Sequence, residues 1–309
     1  MQEIGYNKPL YILPFDHRAT FAVSFGYSST QYLSLQQRDL IRDFKMLVYN
    51  HFKEIVHRKI PLGYAGILCD EEFGSEVLRE AKGDGFVTIL TTEKSGQNIV
   101  EFEYGQDFER HIEKFKPEFT KTLIKFNPED LPDSREKQKR HIKILNDFSH
   151  TNNYKFLLEV LVLPTEKQLA EVGGSNVDYD KVLRADLTVN IISELQDYGI
   201  EPDVWKLEGF SEKENYTKII SAIQKEHRQN VGLVILGRGA DEQHVEEWLK
   251  AGSGIKGIIG FAVGRTVFWN AWEKFYKKEA DSEEALNSIP DNFIKFYNVF
   301  TEESSTNSA

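Results

Sequence analysis

The sequence alternates between short apolar runs and longer amphipathic segments, and this alternation limits the folds that the chain can adopt. The apolar runs predict eight buried strands at 9–15, 64–70, 86–92, 119–126, 155–163, 203–209, 231–237 and 255–264. Helices are predicted after them at 33–57, 75–81, 106–115, 134–149, 180–198, 212–227, 241–250 and 268–279, with one extra helix at 283–300. Strands that alternate with helices in this way predict an α/β fold, a (β/α)8 TIM barrel with an extra C-terminal helix.

The main alternative to a barrel is an open doubly wound sheet, which places a glycine-rich phosphate-binding turn directly after its first strand. Here the first strand ends in Phe15-Asp16-His17-Arg18, which contains no glycine, so the barrel is favoured. No linker divides the chain, and we predict one domain over 1–303. The sequence ends in EESSTNSA, which offers no core-forming side chains, and we predict a disordered tail over 304–309.

The charge balance and the cysteine content exclude several classes of protein. The 309 residues include 38 basic and 49 acidic side chains, a formal net charge of −11, which argues against nonspecific nucleic-acid binding. Cys69 is the only cysteine, so an intramolecular disulfide and a cysteine-based zinc site are excluded. No apolar run approaches the ~18 residues of a membrane span, and MQEIGYNKPL lacks a signal-peptide pattern. We therefore expect a cytoplasmic protein that does not bind membranes.

Four of the predicted strands carry a charged side chain near their C-terminal ends, where barrel enzymes place their active sites. These residues are Asp16, Lys125, Glu159 and Lys206. The alternation of strand side chains puts each of them on the same face as neighbouring apolar residues, and a charge there is costly to bury without a partner. For any single Lys–Glu pair, a structural salt bridge is the alternative interpretation. Two lysines and two carboxylates on four strands favour an active site.

Two lysines beside a carboxylate are typical of amine catalysis. A neutral lysine attacks a carbonyl and forms an iminium, and burial and a second nearby cation favour its neutral form. A carboxylate must then move protons during dehydration and C–C cleavage. We predict these roles for Lys206, Lys125 and Glu159, with Asp16 assisting the proton transfers.

Two glycine-bearing segments follow the last two strands, where TIM barrels commonly bind phosphate. The first is Gly237-Arg238-Gly239, and the second ends in Gly264-Arg265 at the start of a predicted helix. Glycines let backbone N–H groups approach an anion, and arginine adds paired donors. An ordinary tight turn is the alternative for the first segment alone, but the pair predicts a phosphate site.

The histidines are not distributed as a metal site requires, because only His17 follows a strand. The other seven lie in predicted helices or at their ends: His51, His57, His111, His141, His150, His227 and His244. We therefore predict no cofactor and no zinc. A magnesium site remains an open alternative, with Asp16 as its ligand or with Asp70, Glu71 and Glu72. For Asp70, Glu71 and Glu72, a solvated loop is the other interpretation.

From about residue 9 to 275, the chain resembles class I (Schiff-base) aldolases of the tagatose-1,6-bisphosphate aldolase type. The resemblance is carried, in strand order, by PFDHR, GILCDEEFG, LIKFN, LLEVLV, VWKLEG, LGRG and GFAVGRTVFW. It is closer still to the aldolase-like domain that is fused to 5-dehydro-2-deoxygluconokinase in bacterial myo-inositol catabolism. The similarity implies a Schiff-base role for Lys206 and an acid/base role for Glu159. It also implies that Lys125 is the second lysine, Asp16 the strand-one aspartate and Arg265 the phosphate-binding arginine.

Two departures from the tagatose enzymes favour the inositol-pathway relative. Those enzymes have Asp-Gln-Arg where this chain has Asp16-His17-Arg18, and they lack the glycine-arginine-glycine at 237–239. The resemblance then implies cleavage of 6-phospho-5-dehydro-2-deoxy-D-gluconate to dihydroxyacetone phosphate and 3-oxopropanoate. His17 and Arg18 are predicted to face the substrate carboxylate. The resemblance further implies a homo-oligomer and a functional link to a sugar kinase. Two other functions are the alternatives. One is an aldolase for a ketohexose bisphosphate, and the other is a non-catalytic barrel that binds sugar phosphates and would not need Lys206.

Overall fold

The computed structural model describes residues 3–306, which form a closed barrel of parallel strands surrounded by helices. The strands are β1 Leu10–Pro14, β2 Ala65–Cys69, β3 Val87–Thr91, β4 Phe119–Lys125, β5 Lys155–Leu161, β6 Val204–Glu208, β7 Gly232–Leu236 and β8 Ile258–Ala262. Each strand pairs in parallel with the next, and β8 pairs with β1 to close the barrel. The predicted (β/α)8 barrel is confirmed.

The helices begin and end close to the predicted limits, with a few differences. They are α1 Ala19–Ser24, α2 Leu35–Lys59, α3 Glu71–Gly83, α4 Phe108–Phe115, α5 Pro132–Thr151, α6 Glu166–Glu171, α7 Asn176–Val182, α8 Arg184–Asp197, α9 Lys213–Ile223, α10 Glu242–Gly252, α11 Arg265–Lys277, α12 Ser282–Asn287 and α13 Ile289–Thr306. Within residues 3–306, no helix is both long and apolar enough to cross a membrane.

The C-terminal region differs from the single helix predicted at 283–300. It forms α12 and α13, with the break just before Pro290. A proline lacks the N–H that a helix interior requires, so it fits the first turn of a new helix rather than the middle of a longer one. Of the predicted disordered tail, 304–306 belong to α13, and 307–309 lie outside the described residues.

Two apolar layers hold the barrel together. Inside it, side chains from alternate strand positions form a compact core that includes Ile12, Leu68, Ile89, Phe119, Leu157, Val204 and Val234. Outside it, the opposite strand faces pack against the helices, and α13 contributes Phe293 and Phe300 against Phe261 of β8. The interior core fills the bottom and middle of the barrel, so polar side chains that point inward are concentrated at the C-terminal ends of the strands.

Candidate active site

A cavity of about 310 Å³ opens at the C-terminal ends of the strands. Every residue that the sequence predicts for the site lines this cavity: Asp16, His17, Arg18, Lys125, Glu159, Lys206, Gly237, Arg238, Gly239, Gly264 and Arg265. The structure thus brings together residues from β1, β4, β5, β6 and the loops after β7 and β8, although it gives several of them different partners from those expected.

A buried chain of charges joins three strands at the floor of the cavity. The Lys206 Nζ lies 2.8 Å from Glu159 Oε2, and the Lys121 Nζ lies 2.9 Å from the same oxygen. The side chains of Lys206, Glu159 and Lys121 are only 3%, 5% and 1% exposed. Burying charged groups requires close pairing of this kind, and a single carboxylate oxygen shared by two lysines makes this point a candidate for the chemistry of the cavity.

Lys121 is a residue that our sequence analysis missed. Besides Glu159, its ammonium contacts Asp16 Oδ2 at 2.9 Å and Glu93 Oε1 at 2.7 Å, so three carboxylates surround it. The Thr91 hydroxyl also donates to Asp16, at 2.8 Å. Lys121 therefore connects the ends of β1, β3 and β5.

The side-chain alternation in β4 could have identified Lys121, since it shares the inward face with Lys125. Lys121 is the third residue of β4, far from the C-terminal end of the strand, where barrel enzymes place their active sites. Strands in a tilted barrel are staggered, however, and Lys121 is in register with Thr91, the last residue of β3. It therefore lies level with the active end of the neighbouring strand.

Opposing effects set the protonation of this charge cluster. Burial alone would lower the pKa of Lys121, but Asp16, Glu159 and Glu93 together hold it well above its ordinary value. Burial alone would raise the pKa of both Asp16 and Glu159, and the neighbouring lysines instead hold each below its ordinary value. For Glu93 burial prevails over Lys121 and Arg18, and its pKa is raised. Lys121 is thus a cation, and Asp16 and Glu159 are anions, at neutral pH.

Lys125 does not occupy the position that we predicted for it. Its Nζ donates to Asn98 Oδ1 at 3.0 Å, near the cavity mouth, whereas Lys121 is the lysine that contacts Glu159. The physical reason is depth: Lys125 follows Lys121 by two inward positions, which places it about 13 Å farther along the strand. The second lysine in contact with Glu159 is therefore Lys121.

Arg18 holds a loop beside the cavity, and its predicted contact with the substrate carboxylate stays a prediction. Its guanidinium donates to Glu103 Oε2 at 2.7 Å and to the Glu93 carbonyl oxygen at 2.6 Å. The segment 93–103 leaves β3 and returns beside it, with Glu93 and Phe102 forming an isolated antiparallel bridge. Arg18 is 4% exposed, and it ties both ends of this loop across the cavity wall.

His17 lines the cavity as a neutral imidazole. Its ring packs edge-on against Phe268, with ring centroids 5.7 Å apart, and its Nδ1 is buried without a hydrogen-bond partner within residues 3–306. Burial lowers its pKa to about 4, since Asp16 opposes this effect only in part and Arg265 adds to it. A neutral ring can accept or donate one hydrogen bond to a substrate, depending on its tautomer.

We expect His17 to make the protein less stable as the pH falls. Its folded pKa of about 4 lies below the unfolded value of 6.5, so the unfolded chain binds the extra proton between these values. From this residue alone, the free energy of unfolding should fall by about 2 kcal/mol between pH 7.5 and pH 5. Urea unfolding at both pH values measures the change. The His17→Gln variant should lose that much less than the parent, and an equal loss in both proteins would contradict the assignment.

The turn before α11 forms the corner of the cavity at which the sequence predicts anion binding, and we name it the anion-binding corner. Gly264 precedes the helix, and Gly264, Arg265 and Thr266 line the cavity. The first N–H groups of a helix have no carbonyl partner within it, which favours an anion at this end of α11. The exposed Arg265 donates from Nη2 to the Arg238 carbonyl oxygen at 2.9 Å, which holds its guanidinium over Gly239. Gly239 has φ +71°, and a Cβ there would lie 1.9 Å from Arg265 Nη2. Glycine at this position is what allows the arginine to lie across the turn.

The Arg238 side chain forms ion pairs with two carboxylates, which compensate its charge. Its Nη1 lies 2.9 Å from Asp180 Oδ2, and its Nε lies 2.7 Å from Glu208 Oε1. Glu208 points inward from β6, two positions beyond Lys206, and it needs a buried cation as a partner. The Arg238 side chain is thus paired with two carboxylates, and its predicted contact with phosphate stays a prediction.

The acidic run at Asp70–Glu72 is not the solvated loop that was the alternative to a magnesium site. It opens α3: Asp70 accepts from the Phe73 N–H at 2.8 Å and forms a buried ion pair with Lys45. Glu71 lies 2.7 Å from Lys114 and Glu72 lies 2.5 Å from Arg38. Across residues 3–306, no three His, Cys, Asp or Glu side chains are placed to hold one metal ion.

Sequence comparison assigns the chain to a family. A family model described as "Uncharacterized protein conserved in bacteria (DUF2090)" matches residues 4–304. The chain belongs to this family. No curated protein matches its sequence.

Solved structures share the fold of this DUF2090 protein at low sequence identity. Cgl0159 from Corynebacterium glutamicum is 15% identical with a TM-score of 0.57, over 96% of this chain and 88% of that one. A fructose-bisphosphate aldolase from Plasmodium falciparum is 12% identical with a TM-score of 0.62, over 97% and 92%. A Schiff base forming fructose-1,6-bisphosphate aldolase is 12% identical with a TM-score of 0.50, over 92% and 93%. At such identities the likeness establishes the barrel fold.

Proposed function

We propose that the protein is a class I aldolase in which Lys206 forms a Schiff base with a phosphorylated keto sugar acid. The observation that carries the proposal is the buried contact between Lys206 Nζ and Glu159 Oε2 at 2.8 Å, at the active end of the barrel. Two of the proteins that share its fold are fructose-bisphosphate aldolases, and one is described as forming a Schiff base. The motif resemblance adds the substrate, 6-phospho-5-dehydro-2-deoxy-D-gluconate.

The geometry suits the steps of such a reaction. Glu159 accepts a proton from the Lys206 ammonium, and the free amine attacks the substrate ketone. The proton then returns to the carbinolamine oxygen, which leaves as water and gives the iminium. The iminium draws the electron pair of the breaking C–C bond, so that the dihydroxyacetone phosphate half stays on Lys206 as an enamine while 3-oxopropanoate departs. Protonation and hydrolysis of the enamine release the phosphate-bearing product.

The test is the intact mass of the protein after borohydride reduction in the presence of dihydroxyacetone phosphate and a chelator. The reduced adduct should increase the mass by one substrate residue, because borohydride fixes an iminium as a stable amine. Without any adduct, a Schiff-base mechanism is ruled out. Cleavage assays with the keto acid phosphate and with tagatose 1,6-bisphosphate then distinguish the proposed substrate from the ketohexose alternative.

We propose that Arg265 and the first turn of α11 bind the substrate phosphate. Loss of a charge-assisted contact should cost roughly 2–4 kcal/mol, or about 30- to 1,000-fold in kcat/KM, in Arg265→Ala. Kinetics on phosphorylated and dephosphorylated substrate measure the effect, and the variant should lose most of the preference for the phosphorylated form. An equal loss on both substrates would show that Arg265 only supports the loop.

Gly239→Ala tests the same corner without removing a charge. The new Cβ would meet the Arg265 guanidinium, and alanine is strained at the positive φ of this residue. We expect the variant to weaken phosphate discrimination in the same direction as Arg265→Ala, while borohydride trapping at saturating dihydroxyacetone phosphate persists. Unchanged kinetics in Gly239→Ala would mean that the position of Arg265 over this turn has no role in binding.

A further inference from the structure

Glu93 is a buried carboxylate at the cavity with one oxygen unused. It follows β3 on the inward-facing side, and its side chain is 9% exposed. Oε1 contacts Lys121 at 2.7 Å, whereas Oε2 is buried and has no hydrogen-bond partner within residues 3–306. An unpartnered buried oxygen of this kind costs about 1–3 kcal/mol, and a catalytic role is one of the reasons for which proteins retain such a group.

The order of strands around the barrel indicates which part of the substrate Glu93 meets, if the proposed function holds. Lys206 lies on β6, and the anion-binding corner follows the adjacent β7 and β8. The ketone and phosphate half of the substrate therefore occupies that side. Glu93 follows β3, on the opposite side of the ring, where the segment 93–97 lines the cavity. The half that departs as an aldehyde must extend toward it.

The other two buried carboxylates of the cavity, Glu159 and Asp16, are less suited to accept a proton. Both lysines contact the same oxygen of Glu159, which places that carboxylate at the Schiff-base nitrogen. Asp16 receives Lys121 and the Thr91 hydroxyl on one oxygen, and its pKa is held well below the ordinary value, which makes it a weak base. Glu93, with its raised pKa and free oxygen, is the better acceptor for a proton.

We propose that Glu93 is the base for C–C cleavage and takes the proton of the hydroxyl on the departing carbon. In this step the O–H bond breaks toward Glu93 Oε2, that oxygen forms the aldehyde C=O, and the C–C bond breaks. Its electron pair moves into the iminium of Lys206 to give the enamine. The proton leaves Glu93 to solvent as the aldehyde departs, and the enamine carbon takes one proton from solvent.

Glu93→Gln separates this step from Schiff-base formation, since dihydroxyacetone phosphate alone has no departing half. Borohydride trapping with this compound, and exchange of its C–H hydrogen in D₂O, should continue near the parent rates in Glu93→Gln. Condensation of dihydroxyacetone phosphate with an aldehyde should fall by roughly 100- to 1,000-fold. The assay uses either 3-oxopropanoate or D-glyceraldehyde 3-phosphate as the aldehyde, whichever the parent protein condenses faster with dihydroxyacetone phosphate.

Glu103→Gln is the matched control, because Glu103 is a carboxylate at the other end of the same loop, held by Arg18, and does not line the cavity. It should retain both exchange and condensation. Glu93→Gln that loses exchange and condensation equally would overturn the proposal, since Glu93 would then act only by holding Lys121. Unchanged condensation in Glu93→Gln would also overturn it. A parent protein that forms no trapped adduct would instead refute the proposed Schiff-base function, and this assignment with it.

Discussion

Lys206→Ala is expected to abolish covalent trapping and to lower kcat by at least about 10⁴-fold, because no other group can replace a nucleophile that carries the intermediate. The parent should gain one reduced substrate mass with dihydroxyacetone phosphate and borohydride, and the variant none. The fold should survive, since Glu159 keeps its contact with Lys121 when Lys206 is lost. Circular dichroism and a urea unfolding curve check this point.

Lys125→Ala is the control for that experiment. Lys125 lies near the cavity mouth and donates to Asn98, so its loss should leave the trapped mass in place. If trapping continues in Lys206→Ala and disappears in Lys121→Ala, the nucleophile is Lys121, and the roles of the two buried lysines must be exchanged. Trapping that disappears only in Lys125→Ala would place the reaction at the cavity mouth and contradict the proposed site.

The apolar periodicity was sufficient to predict the barrel, because a buried strand in a closed parallel sheet must be apolar on both faces. The same reasoning located Asp16, Glu159 and Lys206, since a charge on an inward face requires a compensating partner. It missed Lys121 because a sequence shows each strand separately and does not show the stagger that sets β4 against β3. Strand-end position is therefore a weaker criterion for a site residue than the inward face combined with the register of the neighbouring strand.

The arginines show a second limit of sequence reasoning. A guanidinium beside glycines fits a phosphate site, but its charge is available only if no carboxylate reaches it first. Asp180 and Glu208 are distant from Arg238 in the sequence, and nothing in the sequence indicates that they meet. Arg18 is also paired over a long sequence distance, since it donates to the Glu93 carbonyl oxygen and to the Glu103 carboxylate. Long-range ion pairs of this kind depend on loop paths that a periodic pattern does not specify.

Lys121→Met and Lys125→Met are expected to behave very differently, although both residues point inward from one strand. Lys121 is the only residue that contacts Asp16, Glu93 and Glu159 together within residues 3–306. Its loss leaves buried negative charges without their common partner, and breaking one buried ion pair already costs about 3–5 kcal/mol. Lys125→Met removes one exposed hydrogen bond to Asn98 and should change the free energy of unfolding by about 0.5 kcal/mol or less. Urea unfolding of the two variants measures the contrast.

The pH dependence of the free energy of unfolding of Lys121→Met shows whether unpaired buried carboxylates cause its instability. Without Lys121, Glu159 still pairs with Lys206, but Asp16 and Glu93 lose their ion pair, so burial raises the pKa of these two carboxyl groups. The folded variant then binds protons more tightly than the folded parent, so the difference in the free energy of unfolding between parent and variant should shrink as the pH falls from 8 toward 5. His17 lowers the stability of both proteins in that range and does not change the difference. Adding Glu93→Gln to Lys121→Met should restore part of the stability at pH 8, because one of the unpaired charges is gone. If the stability deficit of Lys121→Met relative to the parent is as large at pH 5 as at pH 8, and the double variant is no better than the single, the loss comes from packing around the lysine stem. The three carboxylates would then not depend on Lys121 for their charge, and the electrostatic account of the site would be wrong.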